Sequence, residues 1–230
     1  MNKESNSYIL IYASIMVVLV ALALAYISAA LRPQQAKNEA VDKMQQILNA
    51  LNIASDNKNA ESLYQSVITG TYWVDSLGNK GAGDAFEIEL ADELRKPLSE
   101  RNYPVFEASV NGNKKYILAL RGIGLWGPLW GFIALNDDKN TVFGASFGHE
   151  GETPGLGAEI AKPAFANKFQ GKKIFNNSGQ FTSIVVVKPG KTAEGKDYVD
   201  GISGGTITSR GVDAMLFSSI ELYVPFLTQK

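Results

Sequence analysis

Residues 103–147 read YPVFEASVNGNKKYILALRGIGLWGPLWGFIALNDDKNTVFGASF, and this stretch decides the fold. It contains short runs rich in β-branched and aromatic residues, separated by the turn signals NGN and NDD. Such runs predict β-strands joined by short turns. We expect strands at 105–110, 116–120, 131–135, 141–147 and, further along the chain, 182–188.

Two helical stretches interrupt or follow these strands, at 163–169 and at 212–227. The second stretch repeats apolar residues at helical spacing, which predicts a face packed on a core. The sequence contains no internal repeat and no low-complexity linker, so we expect a single α+β domain. The predicted core face consists of Val212, Met215, Leu216, Ile220, Tyr223 and Phe226.

The N-terminal part of the chain carries a long uncharged run, YILIYASIMVVLVALALAYISAAL, at residues 8–31. A helix of this length spans roughly 36 Å at about 1.5 Å per residue, enough to cross a hydrocarbon core of about 30 Å. The run is long for a signal peptide, and Lys3 and Glu4 do not form a basic start. We therefore predict a retained transmembrane helix after a tail at 1–7, with a cleaved signal or a buried helix as alternatives.

The segment between this run and the strands predicts helices and loops. Pro33 is expected to end the membrane helix, because proline lacks the N–H that a helix interior needs. An amphipathic helix is predicted at 34–53, a second short helix within 57–71, and a glycine-rich loop at 75–84. We accordingly divide the remaining chain into a helical and loop part, residues 32–100, and a ligand-binding domain, residues 101–230.

Composition excludes several classes of function. The chain has 22 Lys and Arg against 23 Asp and Glu without a basic block, so nucleic acid is not an expected partner. It contains no cysteine and one histidine, His149, which excludes disulfides, thiolate-bound clusters and multi-histidine metal sites. A single imidazole and the lack of a G-x-S-x-G motif also make a hydrolase a poor hypothesis. No metal site is therefore expected.

Two glycine-rich segments could carry chemistry. The first, HEGETPGLGAE at 149–159, would let a flat ligand lie close to the backbone, although a plain surface loop would use the same residues. The second, DGISGGTITS at 200–209, precedes the last helix. Thr208 or Ser209 could cap that helix, so that its free N–H groups point toward Thr206 and could hold a phosphate. A simple capping loop is the alternative, and neither a Walker loop nor a dinucleotide fingerprint is present.

Three motifs along the chain resemble those of a known family. SGGTITS at 203–209, with Asp200 before it, resembles the flavinylation motif D-x-x-[ST]-G-A-T-x-[ST] of membrane-bound FMN-binding domains. GETPGLG at 151–157 is similar to the family's ETPGLG segment. GLW at 124–126, followed by WGFIAL at 130–135, resembles the C subunit of the sodium-translocating NADH:quinone reductases more than the related G subunit of Rnf-type ferredoxin:NAD oxidoreductases.

The resemblance implies a covalent cofactor. In this family the threonine that ends the S-G-A-T core carries FMN through a phosphoester bond, which falls here on Thr206, with one FMN per chain. A separate flavin transferase that uses FAD would attach it. The motif that this enzyme reads would comprise Asp200, Ser203, Gly204 and Thr208, and Gly205 stands where the family usually has alanine.

The resemblance also implies residues around the flavin ring, none of which is expected to be catalytic. Leu125 and Trp126 would pack near the ring, unless Trp126 belongs to the core. Glu152 could be a turn or capping residue without a redox role, and His149 is expected to be structural or exposed. The ETPGLG segment would contribute Thr153, Gly155, Leu156 and Gly157.

The family resemblance predicts an electron-transfer subunit of a sodium-translocating NADH:ubiquinone or menaquinone oxidoreductase. It would work with other subunits in the bacterial cytoplasmic membrane, with its soluble domain on the periplasmic side. The basic residues beside the span are Lys3 before it and Arg32, Lys37 and Lys43 after it. They would favour the opposite orientation, but such charges are a weak signal for a long domain. The span has no carboxylate, so this subunit is not expected to carry the ion itself. An Rnf-type subunit, or an anchored binding module without flavin, is the alternative.

Overall fold

The computed structural model describes residues 5–229, and its first element is one long helix. Helix α1 runs over Asn6–Ala50. Residues 9–31 are all exposed, and the helix is long and apolar enough to cross a membrane. Because lipid can cover an apolar helix that no protein surface covers, this agrees with the predicted span at 8–31. Of the predicted tail at 1–7, residues 1–4 lie outside the described residues.

The expected break at Pro33 was wrong, because α1 continues through this proline. A proline inside a helix removes one hydrogen bond and strains one turn, at about 3 kcal/mol. The neighbouring alanines and glutamines are good helix formers, and the helix therefore resumes within the same element. An amphipathic helix was predicted at 34–53. Only the last part of this stretch has buried apolar residues, namely Ile47, Leu48 and Leu51.

A six-stranded antiparallel sheet forms the centre of residues 44–230, which make up one compact unit. The strand order is β2-β1-β3-β4-β5-β6, and tight turns join β3 to β4 and β5 to β6. The predicted runs at 105–110, 116–120 and 131–135 lie on strands, and the run at 141–147 does so from Val142 onward, which confirms an α+β fold. The strands are β1 Ile68–Val74, β2 Lys80–Gly81, β3 Tyr103–Val110, β4 Asn113–Ile123, β5 Pro128–Asn136 and β6 Val142–His149.

Two of these strands lie where the sequence predicted only helix and loop. Helix α2, Ala60–Val67, occupies the predicted second helix, but the chain then turns into β1, which pairs with β3. Short β2 lies inside the predicted loop at 75–84 and pairs with β1. The sheet therefore includes strands from both sides of the boundary that the sequence suggested at residues 100 and 101.

The main helix of the domain packs on the middle of the sheet. Helix α5, Thr206–Glu221, contacts β4 most extensively, and α6, Val224–Thr228, follows it. A Cβ at Gly122 of β4 would lie 2.6 Å from Cβ of Met215, so glycine allows the close approach of the helix. All six residues of the predicted core face, from Val212 to Phe226, are buried.

The remaining elements connect these layers. Helix α3 spans Leu90–Glu93 and α4 spans Pro163–Ala166, with one short 3-10 turn on each side of α4. Strands β7, Val185–Val187, and β8, Tyr198–Asp200, form a small parallel pair. The predicted run at 182–188 is thus shortened to three residues. Because β8 leads directly into the loop before α5, this pair places the second glycine-rich segment at the start of that helix.

Candidate functional site

One buried carboxylate joins all three motifs of the site. Glu152, whose residue surface is 5% exposed, accepts hydrogen bonds at Oε1 from the backbone N–H groups of Leu125, at 2.7 Å, and Trp126, at 3.0 Å. Its Oε2 accepts a hydrogen bond from Oγ1 of Thr208 at 2.6 Å. Glu152 therefore connects the turn between β4 and β5 with the first turn of α5. Sequence reasoning suggested only a turn or capping role for it.

Two glycines allow this carboxylate to lie where it does. A Cβ at Gly124 would collide with Oε1 of Glu152, and a Cβ at Gly157 would collide with both Oε2 of Glu152 and Oγ1 of Thr208. Neither glycine has a positive φ, so glycine is needed here because a side chain would not fit and not because of the backbone conformation. Close packing around Glu152 thus explains the glycine of the GLW motif and the second glycine of ETPGLG, Gly157.

The charge of Glu152 is stabilised despite its burial. Burial alone would raise the pKa of this carboxyl group, but the hydrogen bonds from Thr208, Trp126 and Leu125 lower it below its ordinary value. His149 also takes part directly, because its Nδ1 accepts a hydrogen bond from the backbone N–H of Glu152 at 3.2 Å. The site therefore contains a negative charge that is fixed by hydrogen bonds on both carboxylate oxygens.

Helix α5 begins earlier than expected. Gly205 is its N-cap and Thr206 its first residue, so the prediction that Thr208 or Ser209 caps the helix was wrong. The hydroxyls of these residues are engaged elsewhere, since Thr208 donates to Glu152 and Oγ of Ser209 accepts from the N–H of Ile202 at 2.9 Å. The free N–H groups of the first helical turn begin at Thr206 itself, where they would favour a phosphate.

Thr206 is exposed and lies beside a small cavity with cationic residues in its walls. The cavity has a volume of about 260 Å³, and its lining includes Lys188 and Arg210 together with Thr206. Within the described part of the chain, the Thr206 hydroxyl makes no hydrogen bond. The lining also contains Asp213, whose Oδ1 accepts a hydrogen bond from the N–H of Val186 at 2.7 Å. A free hydroxyl at a helix N-terminus, beside a cavity lined by two cations, is suited to a phosphate ester.

Apolar side chains are exposed on the segments that Glu152 brings together. Trp126 is 65% exposed and Leu125 49%, so the alternative that Trp126 belongs to the core was wrong. Leu156 and Ile207 are exposed as well. A Cβ at Gly204 would lie 2.7 Å from Cδ2 of Leu156, which places the ETPGLG loop against the loop before α5. Exposed apolar residues in this number are typical of a surface that binds a flat ligand or a partner.

The other predicted site residues lie nearby but have local contacts. The carbonyl oxygen of Thr153 accepts hydrogen bonds from the N–H groups of Leu156 and Ala158, both at 3.1 Å. Gly155 has a φ of 76°, and its N–H donates to Glu159. Ser203 is exposed.

Asp200 contacts another turn rather than Thr206. Its Oδ1 accepts a hydrogen bond from the N–H of Gly190 at 3.3 Å, and its carbonyl oxygen accepts one from Nζ of Lys168 at 3.0 Å. Its contacts therefore hold the loop before α5.

Sequence reasoning missed three features of this site. The link between Glu152 and Thr208 joins residues 56 positions apart, for which no local pattern exists. Lys188 is also remote in the sequence from Thr206. Arg210 follows Thr206 by one helical turn, so the i, i+4 spacing on the predicted helix could have identified it.

Comparisons with known proteins agree with this geometry. The FMN-binding domain family matches residues 124–221, which include all three motifs. The C subunit of the Na(+)-translocating NADH-quinone reductase from Pseudomonas aeruginosa is 33% identical, over 94% of this chain and 91% of that protein. The protein of the same name from Haemophilus ducreyi is 30% identical, over 92% and 88%.

A solved structure extends the similarity to three dimensions. The crystal structure of the Na(+)-translocating NADH-quinone reductase C subunit from Parabacteroides distasonis is 55% identical, with a TM-score of 0.83 over 87% of this chain and 98% of that one. The sequence similarity covers nearly the full length of the relatives, and the fold is shared. The chain belongs to the family formed by the C subunits of the Na(+)-translocating NADH-quinone reductases and contains an FMN-binding domain.

Proposed function

We propose that this chain carries FMN covalently on Thr206 and passes single electrons between redox centres of a Na(+)-translocating NADH:quinone reductase. Family membership supports the coarser statement that it is a membrane-anchored flavoprotein subunit of that enzyme. The finer statement rests mainly on one observation, the exposed and unpartnered hydroxyl of Thr206 at the first position of α5. The Glu152 network holds the surroundings of this hydroxyl in place.

The residues around Thr206 fit a phosphate and a flat ring. Lys188 and Arg210 line the adjoining cavity and would neutralise a phosphate ester, together with the free N–H groups at the start of α5. The exposed side chains of Leu125, Trp126 and Leu156 would cover an apolar ring. FMN contains both parts, and the site offers matching chemistry for each.

Attachment is a phosphoryl transfer that needs a second enzyme. Oγ1 of Thr206 would attack the phosphorus on the flavin side of FAD, forming a P–O bond while the bond to the bridging oxygen breaks. AMP leaves with the electron pair of that bond, and the hydroxyl proton passes to a base of the flavin transferase. The described residues contain no cluster that could hold a metal ion, so we assign metal binding to the transferase.

In the loaded protein, the flavin supplies the electron chemistry and the chain supplies position and electrostatics. The Thr206 ester would fix one end of the cofactor. Glu152 would keep Trp126 and the start of α5 at a constant separation by binding both. We further propose that the domain faces the periplasm, on the ground of family resemblance.

Intact mass measurement tests the attachment. Protein coexpressed with a flavin transferase should gain the mass of one FMN less one water and fluoresce in a denaturing gel, and Thr206→Ala should do neither. The matched control is Thr192→Ala, which changes a threonine in another loop and should keep the full gain. Bare mass in the unmodified sequence would refute a covalent flavin and favour an anchored binding module. Modification of Thr206→Ala would place the bond elsewhere.

A further inference from the structure

A second concave surface lies away from Thr206 and has no part in the site described above. The last turn of α1, the end of β3, strand β6 and the region of α4 enclose a groove of about 1020 Å³. We call it the carboxamide groove, because six of its lining residues have amide side chains. They are Gln46, Asn49, Asn52, Asn111, Asn167 and Gln170.

The groove is polar but uncharged. None of the described residues that line it is Asp, Glu, Lys, Arg or His. Its lining also includes the apolar residues Leu51, Phe143 and Phe147. A charged ligand would gain no counter-charge from this lining, so the lining favours an uncharged one. The ligand that fits is uncharged, with many hydrogen-bonding groups.

Most of the amide groups in the groove have no partner within the described residues, and all but Gln46 belong to exposed residues. Asn52 donates from Nδ2 to the carbonyl oxygen of Phe143 at 2.9 Å. In the described part of the chain, the side-chain amides of the other five have no hydrogen-bond partner. The Oε1 atom of Gln46 is fully buried and still unpaired. Because buried polar atoms are nearly always paired in folded proteins, this atom points to a missing partner.

Peptide groups match this lining. A carboxamide offers an acceptor oxygen and donor N–H groups, as does each peptide unit of a main chain. Strand β6 is also the last strand of the sheet, and its buried residues 145–147 line the groove, while Val142 at its start pairs with residues 171–172. Edge strands commonly bind extended segments of partner proteins. The volume lies at the upper limit of small-molecule sites, which span roughly 300–1,000 Å³.

We propose that the carboxamide groove binds an extended, uncharged polypeptide segment of another subunit in the assembled reductase. The partner's main-chain amides would pair with the free carboxamides, and its apolar side chains would cover the apolar part of the lining. The inference uses the family assignment, but it does not depend on flavin attachment. The groove and the cavity beside Thr206 have no lining residue in common.

Photocrosslinking in the purified, assembled complex tests this proposal. A benzophenone amino acid is introduced at Asn49 or at Asn167, exposed positions on two different walls of the groove. The matched control is Asn177, an exposed asparagine in a turn outside it. We expect both groove positions to crosslink to a peptide of another subunit, and the control to give at least tenfold less product. Crosslinks only to a second copy of this chain, or no excess over the control, would overturn the proposal.

Charge insertion provides an independent measurement. In the double variant Asn49→Lys and Asn167→Lys, positive charges that the partner would bury should lower retention of this subunit in the purified complex at least fivefold. Asn177→Lys should be retained like the unmodified chain. Flavin content per chain should stay unchanged in both variants, which separates failure of the groove from failure of attachment at Thr206. Normal retention of the double variant would contradict the proposal.

Discussion

At the scale of single residues, the side chain of Glu152 holds the three motifs of the site together. Its carboxylate accepts hydrogen bonds from two backbone N–H groups and one hydroxyl, and glycines at 124 and 157 leave it just enough room. No sequence motif reveals this role, because the partners of its carboxylate lie 26 or more positions away. The GLW and ETPGLG motifs could be identified from the sequence, but not their mutual contact.

Replacing Glu152 by alanine should strongly destabilise the folded domain. The change leaves the N–H groups of Leu125 and Trp126 and the Thr208 hydroxyl without their acceptor, at a cost of about 2–4 kcal/mol. Urea unfolding followed by tryptophan fluorescence measures the difference. The control Glu150→Ala removes an exposed carboxylate two residues away and should change the free energy of unfolding by less than about 0.5 kcal/mol. Equal effects of the two substitutions would contradict the role assigned to Glu152.

The same residue predicts a pH dependence at the acid end. The pKa of Glu152 is lower in the folded chain than its ordinary value, so the carboxylate stabilises the fold at neutral pH. This contribution is lost as the pH falls from the ordinary carboxyl pKa, about 4.3, through the lower folded value. Unfolding free energies of Glu152→Gln and the unmodified chain should therefore converge below about pH 4. A constant difference between pH 7 and pH 3 would contradict this expectation.

At the scale of elements, the contact between α5 and β4 holds the helix that begins at Thr206 on the sheet. Oγ of Ser219 accepts a hydrogen bond from the N–H of Arg121 at 3.0 Å and donates one to its carbonyl oxygen at 3.1 Å. Ser219 is 1% exposed, so water cannot take its place as the hydrogen-bond partner of these backbone groups. One side chain therefore fixes the position of α5 along β4.

Ser219→Ala should lower the free energy of unfolding by about 1–3 kcal/mol, since it leaves buried polar groups of Arg121 unpaired. Ser218→Ala is the control on the same helix, because Ser218 is exposed and bonds only to the carbonyl oxygen of Ala214. It should change stability by less than about 0.5 kcal/mol. Chemical denaturation of both variants provides the comparison. Similar losses for both would show that the Ser219 contacts do not hold the helix.

The elements also show what sequence patterns can and cannot predict. The buried runs of β3 to β6 were recognisable because their residues have strong strand preferences and clear turns between them. Strand β1, ITGTYWV, is half-buried and contains a glycine, so its pattern is weak, and pairing with β3 determines it. The start of α5 was misplaced because the hydroxyls of Thr208 and Ser209, ordinarily capping groups, serve tertiary contacts.

At the scale of the whole molecule, the chain combines an apolar helix with a compact unit at residues 44–230. Length and composition predicted this organisation, because an uncharged run of 24 residues has few other uses in a folded protein. The charged residues on either side of the span could not determine which side of the membrane the domain faces, since long domains cross membranes largely regardless of such charges.

Cysteine labelling measures the orientation, since the chain has no cysteine of its own. Ser178→Cys introduces one thiol in an exposed turn of the soluble domain. We expect a membrane-impermeant maleimide to label it in intact cells, whereas Ser5→Cys, before the span, should react only after the cytoplasmic membrane is opened. The reverse pattern would place the domain in the cytoplasm and refute the periplasmic assignment.

The early start of α5 also has a consequence for the order of maturation. Thr206 is exposed at the start of α5, on a surface held by the hydrogen bonds of Glu152 and Ser209. Under the proposed attachment, the transferase would therefore act on the folded domain and would need no access to the nascent polypeptide. On the same proposal, loading would follow folding in whichever compartment the domain resides, and a chain that misses its first encounter with the transferase would stay competent for a later one.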